Sequence, residues 1–157
     1  MRTNDLIKYI VENYPHPDEL SKARLNKIIY LIDWKSAIDK EEQITDINWY
    51  FNHYGPYVKE IEELILDDNR FFLQPTITIY GNEKTIITLV DDTGFNSPTV
   101  DEKTIIDFVI EKTRRFYWKR FIELVYSTYP IISQEKGSNL DLVSLAKAYN
   151  RMKEETD

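Results

Sequence analysis

Apolar residues recur at helical spacing through most of the chain. Leu6, Ile7, Ile10, Val11 and Tyr14 form a 3.6-residue stripe, which predicts a first helix over about Asn4–Tyr14. Pro15 and Pro17 end it, because proline lacks the N–H that a helix interior uses. Ser21 is placed as an N-cap, with Leu20 and Leu25 set to close around it as a hydrophobic staple. The second helix carries Leu25, Ile28, Ile29, Leu31 and Ile32. So broad an apolar face predicts a central buried helix reaching about Ala37. The segment Asp46–Tyr54 (DINWYFNHY) is aromatic-rich with no helical stripe, and reads as a short strand near 47–53. Gly55-Pro56 is then expected to open a third helix, with proline at its first position and Val58, Ile61, Leu64 and Ile65 inward.

Period-two alternation appears once. Thr76–Tyr80 and Thr85–Leu89 are β-branched and alternating, with Gly81-Asn82-Glu83-Lys84 as the turn, so a hairpin is expected over about 71–90. A lone hairpin is marginal in water, so this one must pack on helices. Three further helices follow: Val100–Arg115, Tyr117–Thr128 with Tyr129-Pro130 breaking it, and a last one from Asn139 or Leu140. The expected fold is mainly α (α+β): about six helices in one globule, with the hairpin inserted in the middle and a single domain over 1–157.

Composition supports a packed core. The 157 residues are 42% hydrophobic and 13% aromatic, enough to stabilise a domain without staples. Cysteine is absent, which removes disulfides, thiolate metal sites and cysteine nucleophiles, and fits a reducing compartment. The opening MRTNDLIKYIVENY has no apolar run of the secretory kind, and nothing approaches the roughly 20 apolar residues that span a bilayer. A cytoplasmic location without membrane contact is expected.

Candidate chemistry is sparse. The four glycines, at 55, 81, 94 and 137, make no phosphate-binding loop. His16 and His53 stand apart; His53 beside Tyr54 reads as a half-buried structural histidine, with a general base as the alternative. Glu60, Glu62, Glu63, Asp67 and Asp68 lie opposite an apolar stripe, the pattern of a solvated face, although paired carboxylates also serve acid–base or magnesium chemistry. No enzyme activity, cofactor or metal is expected.

Net charge is −7, which repels nucleic acid at long range. One stretch runs the other way. In KTRRFYWKR, Lys112, Arg114, Arg115, Lys119 and Arg120 surround Phe116-Tyr117-Trp118. Three readings fit: phosphate contact with base stacking, an acidic protein partner, or basic residues complementing a helix C-terminus while the aromatics enter the core. The chain also holds 11 tyrosines and 3 tryptophans, residue types that dominate binding hot spots. Trp34, Trp49 and Tyr57 are candidates for that role, or for the core.

Three segments resemble the Panacea domain of SocA-like antitoxins. RLNKIIYLID (Arg24–Asp33) is similar to that family's early helix, with its lysine–leucine–tyrosine pattern. INWYFNHYGPYVKEI (Ile47–Ile61) is similar to its aromatic residue shortly before Tyr-Gly-Pro and a helix, and LVYSTYPI (Leu124–Ile131) to its later proline segment. Ile131 stands where a tryptophan is frequent, and the hairpin is longer and more regular than the family leads one to expect. The resemblance implies a bacterial or phage-borne antitoxin without catalytic residues that holds a cognate toxin in a harmless complex. For some members it implies an adaptor that hands the toxin to a AAA+ protease. Contact residues implied or suggested are Trp34, Trp49, Tyr54, Gly55, Pro56, Tyr57, Thr128 and Pro130. The alternative is a winged-helix-like DNA-binding regulator of a phage or mobile element, with Lys112–Arg120 supplying the charge.

Overall fold

A computed structural model describes residues 1–156 and shows seven α-helices with two small antiparallel sheets. Helix α1 (Thr3–Asn13) buries Leu6, Ile7 and Ile10, and its chain leaves through extended Tyr14 ahead of Pro15. A 3-10 turn at Pro17–Glu19 leads to α2 (Lys22–Lys40). Ser21 Oγ accepts from Arg24 N at 3.1 Å, and Leu20 and Leu25 are both buried, as the cap and staple require. Nearly every α2 side chain from Arg24 to Ala37 is buried, so this helix is the axis of the core. It runs on to Lys40 and stops at Glu41, which takes a left-handed φ of 58°.

The Gly55-Pro56 expectation fails. Gly55–Tyr57 is not the start of a helix but strand β2, paired antiparallel with β1 (Trp49–Asn52). Gly55 closes the intervening turn at φ +86°, a conformation that glycine adopts without strain. Pro56 lies on the sheet's outer strand, where a missing N–H costs little. Helix α3 starts later and spans Glu60–Asp67, burying Ile61 and Ile65.

The long hairpin forms as β3 (Phe71–Ile77) and β4 (Glu83–Leu89), but Ile79 and Tyr80 belong to its turn and not to a strand. Helix α4 (Val100–Thr113) opens on a reciprocal capping box between Thr99 and Glu102 and buries Ile105, Ile106, Val109 and Ile110. Helix α5 (Trp118–Tyr126) buries Phe121 and Val125. Pro130 does more than break it: Tyr129-Pro130 opens a seventh helix, α6 (Tyr129–Ser133), since first-turn N–H groups need no helical partner. Asn139–Leu140 is not helical but strand β5, which pairs with β1 and delays α7 to Leu142–Thr156. The first sheet therefore runs β2-β1-β5. Helices α4 and α7 and strand β2 pack against α2.

Candidate partner-recognition site

The three motif segments meet around α2. Asn26 grips the strand end of Val58, its Nδ2 donating to Val58 O at 2.7 Å while its Oδ1 accepts from Val58 N at 3.4 Å. One turn on, the Tyr30 and Thr128 hydroxyls are hydrogen-bonded at 2.8 Å, joining α2 to the start of α6. The Tyr30 ring meets Trp49 edge-on, with centroids 5.6 Å apart. On the far side, a methyl group built on Gly55 would come within 3.3 Å of the Tyr126 ring, a tight contact that adds to the preference for glycine set by φ.

Asp33 ties the α2–β1 connection to this frame. Its Oδ1 accepts from Ile44 N and Thr45 N, and its Oδ2 from Thr45 Oγ1, Trp49 Nε1 and Gln43 Nε2, all within 3.3 Å. Burial raises the Asp33 carboxyl to about 6 even though each of these donors stabilises the anion. Desolvation wins because the group is fully enclosed.

What this frame displays is the β1–β2 turn. Asn52 Oδ1 accepts from Tyr54 N at 2.7 Å and shapes the tip, and Tyr54 projects with 67% of its surface exposed. Tyr50 is 40% exposed on the same hairpin. Beside it lies an open groove of about 420 Å³, lined among others by Asn48, Tyr50, Asn52, Tyr57, Val58 and Glu60. The Glu60 carboxyl is raised by partial burial and by the neighbouring charges of Asp46 and Glu63.

Several expected contact residues are not on the surface. Trp34 and Trp49 are core residues, 6% and 1% exposed: Trp34 packs on Tyr129 and Tyr149, and Trp49 on Tyr30. Gly55, Pro56 and Pro130 are buried, and Tyr57 and Thr128 are half-buried, so these residues hold the frame while Tyr54 faces outward. His53 is exposed beside Tyr54, not half-buried, because it sits in the turn.

The basic stretch forms a separate corner between α4 and α5. Lys112, Arg115, Lys119 and Arg120 are exposed, with Tyr117 and Trp118, while Arg114 is half-buried and paired with Glu111 at 3.2 Å. Of its aromatics only Phe116 turns toward the core. Arg24, buried in α2, braces this corner. Its Nη2 donates to Thr113 O at 3.0 Å and Phe116 O at 2.6 Å, its Nε donates to Tyr14 Oη at 2.6 Å, and the guanidinium lies 4.4 Å over the Phe121 ring.

Asn26, Lys27 and Asp33 were missed in the sequence. The signal was present: polar and charged residues interrupt the most apolar helix of the chain, and a charge buried there needs a partner. Among the described residues, no group of three or more His, Asp and Glu side chains is placed to hold a metal ion, and no helix is long and apolar enough to cross a membrane.

The fold defines a small, mainly helical α+β globule organised on one buried helix. Residues 25–130, about two thirds of the chain, match the antitoxin SocA-like, Panacea domain family. The chain belongs to that family. No curated protein and no solved structure matches it.

Proposed function

We propose that the chain neutralises a cognate toxin by binding it directly, without catalysis, and that the β1–β2 hairpin is the contact. The observation that carries this reading is convergence. Two of the three segments that mark the family brace the short hairpin formed by the third, and leave Tyr54, a rigid amphipathic side chain of the hot-spot type, at its tip. The complex forms in the cytoplasm. Delivery of the held toxin to a AAA+ protease would need a second surface, and the exposed basic corner at Lys112–Arg120 offers one.

The DNA-binding reading has less support. A winged helix lays its hairpin along the phosphates, yet the β3–β4 tip carries Ile77, Ile79, Tyr80 and Glu83 with a single lysine, Lys84. Co-expression with the toxin encoded beside its gene tests the proposal. Rescue of growth and co-purification of a stoichiometric complex are expected, and the reading fails if growth arrest persists with both proteins present.

A further inference from the structure

Among the described residues, Lys27 is the one buried charge in the frame that meets no hydrogen-bond or ion-pair partner. It is 3% exposed, on α2 between Asn26, which grips β2, and Tyr30, which binds Thr128. Its ammonium carries three donors, but among the described residues it makes no hydrogen bond and no ion pair. The nearest recorded partner is the Tyr57 ring, 5.9 Å from Nζ to centroid, and Tyr57 also lines the groove beside the hairpin. A buried cation without acceptors is costly. No fully buried polar side-chain atom lacks a partner, so the amine tip must reach solvent. Burial alone lowers Lys27 to about 8; no charged group from α2, β2 or any other packed element contributes. The other buried charges contrast with it: Asp33 accepts five hydrogen bonds, the Arg24 side chain donates three, and Asp5 accepts one from Asn96 N.

We infer that Lys27 is a receptor for a carboxylate of the bound toxin, which enters beside Tyr57 and pairs with the ammonium. The inference rests on the toxin-binding reading above and deepens it. A carboxylate fits better than a phosphate. One ammonium matches one negative charge, and the groove's own charged residues, Lys59 and Glu60, offset each other and so supply no second cation for a dianion. The pairing forms only in the complex, so the unbound chain carries the cost and the partner relieves it.

Two measurements test it. Reductive methylation of the whole folded chain with 13C-formaldehyde keeps each lysine's charge and gives methyl resonances, with the Lys27 signal assigned by its loss in Lys27→Met. Sodium acetate is the probe, with sodium chloride at matched ionic strength as control. The Lys27 resonance should titrate well below those of exposed lysines and move saturably with acetate alone. A Lys27 that stays unmethylated, or ignores acetate, overturns the inference. In the second measurement Lys27→Met, which keeps volume and removes charge, should keep the thermal midpoint and bind the toxin at least tenfold more weakly. Unchanged binding overturns the Lys27 assignment and leaves the toxin-binding reading standing, whereas a wild-type chain that binds no toxin sinks both.

Discussion

The two hairpins are stabilised in opposite ways. The β3–β4 hairpin pairs seven residues on each strand, yet only the half away from its turn is anchored: Phe71, Ile86 and Ile87 are buried, and Ile87 N donates to Leu20 O at 3.3 Å. Its tip, with Ile77, Ile79 and Tyr80, stands in solvent. The β1–β2 hairpin pairs three residues on each strand, but both of its strands are held from outside, by Asn26, Asp33, Tyr126 and β5. Local pairing makes the first, and tertiary contacts make the second. A binding element needs a fixed geometry, and the shorter hairpin has it.

Edge protection sharpens the contrast. Hydrogen bonds from Val90 N to Arg70 O and from Thr78 N to Asn82 O show that even-numbered residues of β3 face β4, so Pro75 faces outward. Its missing N–H therefore costs the ladder nothing and interrupts the row of donors that another strand would need. On β4 the outer edge is already met by Leu20 and Ser21. The long hairpin is built not to recruit strands, which is a second reason to place recognition on the short one.

The largest expected effect is at Asp33. Asp33→Ala takes the acceptor away from five donors, four of them on the connection into β1, and should cost about 3 kcal/mol in urea unfolding. The same residue gives a pH signature. Its folded value, about 6, lies above the ordinary carboxyl value of 3.8, so the folded state holds the proton more tightly. Its contribution is greatest below about pH 4 and is lost as pH rises through about 6. Asp68, Asp91, Asp107 and Asp141 are shifted the other way and are destabilising when protonated, so the wild-type profile is a sum. Subtracting the Asp33→Asn profile from the wild type should leave a difference that declines between about pH 4 and 6; a flat difference would contradict the burial argument.

Gly55→Ala comes next. It combines a left-handed φ with a contact on Tyr126, and should destabilise by about 1–2 kcal/mol, read by thermal melts. Ile79→Ser, on the solvated tip of the long hairpin, should change stability by less than about 0.5 kcal/mol. If Ile79→Ser costs more than Gly55→Ala, the two hairpins have been ranked the wrong way round.

The same division explains what could be read from the chain. Helices α1, α2 and α4 were legible because their apolar residues repeat at helical spacing, and α2 also because its cap at Ser21 is local. The long hairpin was legible because alternation is local too. Gly55-Pro56 was misread because proline serves both a helix start and an edge strand, and what decides between them is the pairing of Pro56 with Phe51 and the packing of Gly55 on Tyr126. Strand β5 was invisible for the same reason: its two residues are made a strand by β1, far away in sequence. At the site, Tyr54 was named only through the family resemblance, with nothing in the pattern to show its exposure, and Trp34 and Trp49 were not separable from surface candidates by residue type alone. Only the Asp33 and Tyr30 contacts place Trp49 inside.

Amide hydrogen exchange on the chain, alone and with its toxin, tests the central claim most directly. Protection confined to Tyr50–Tyr57 and the adjoining groove, with 77–83 and 112–120 unchanged, is the predicted outcome. Protection at the β3–β4 tip or at the basic corner, with the short hairpin unaffected, would contradict it.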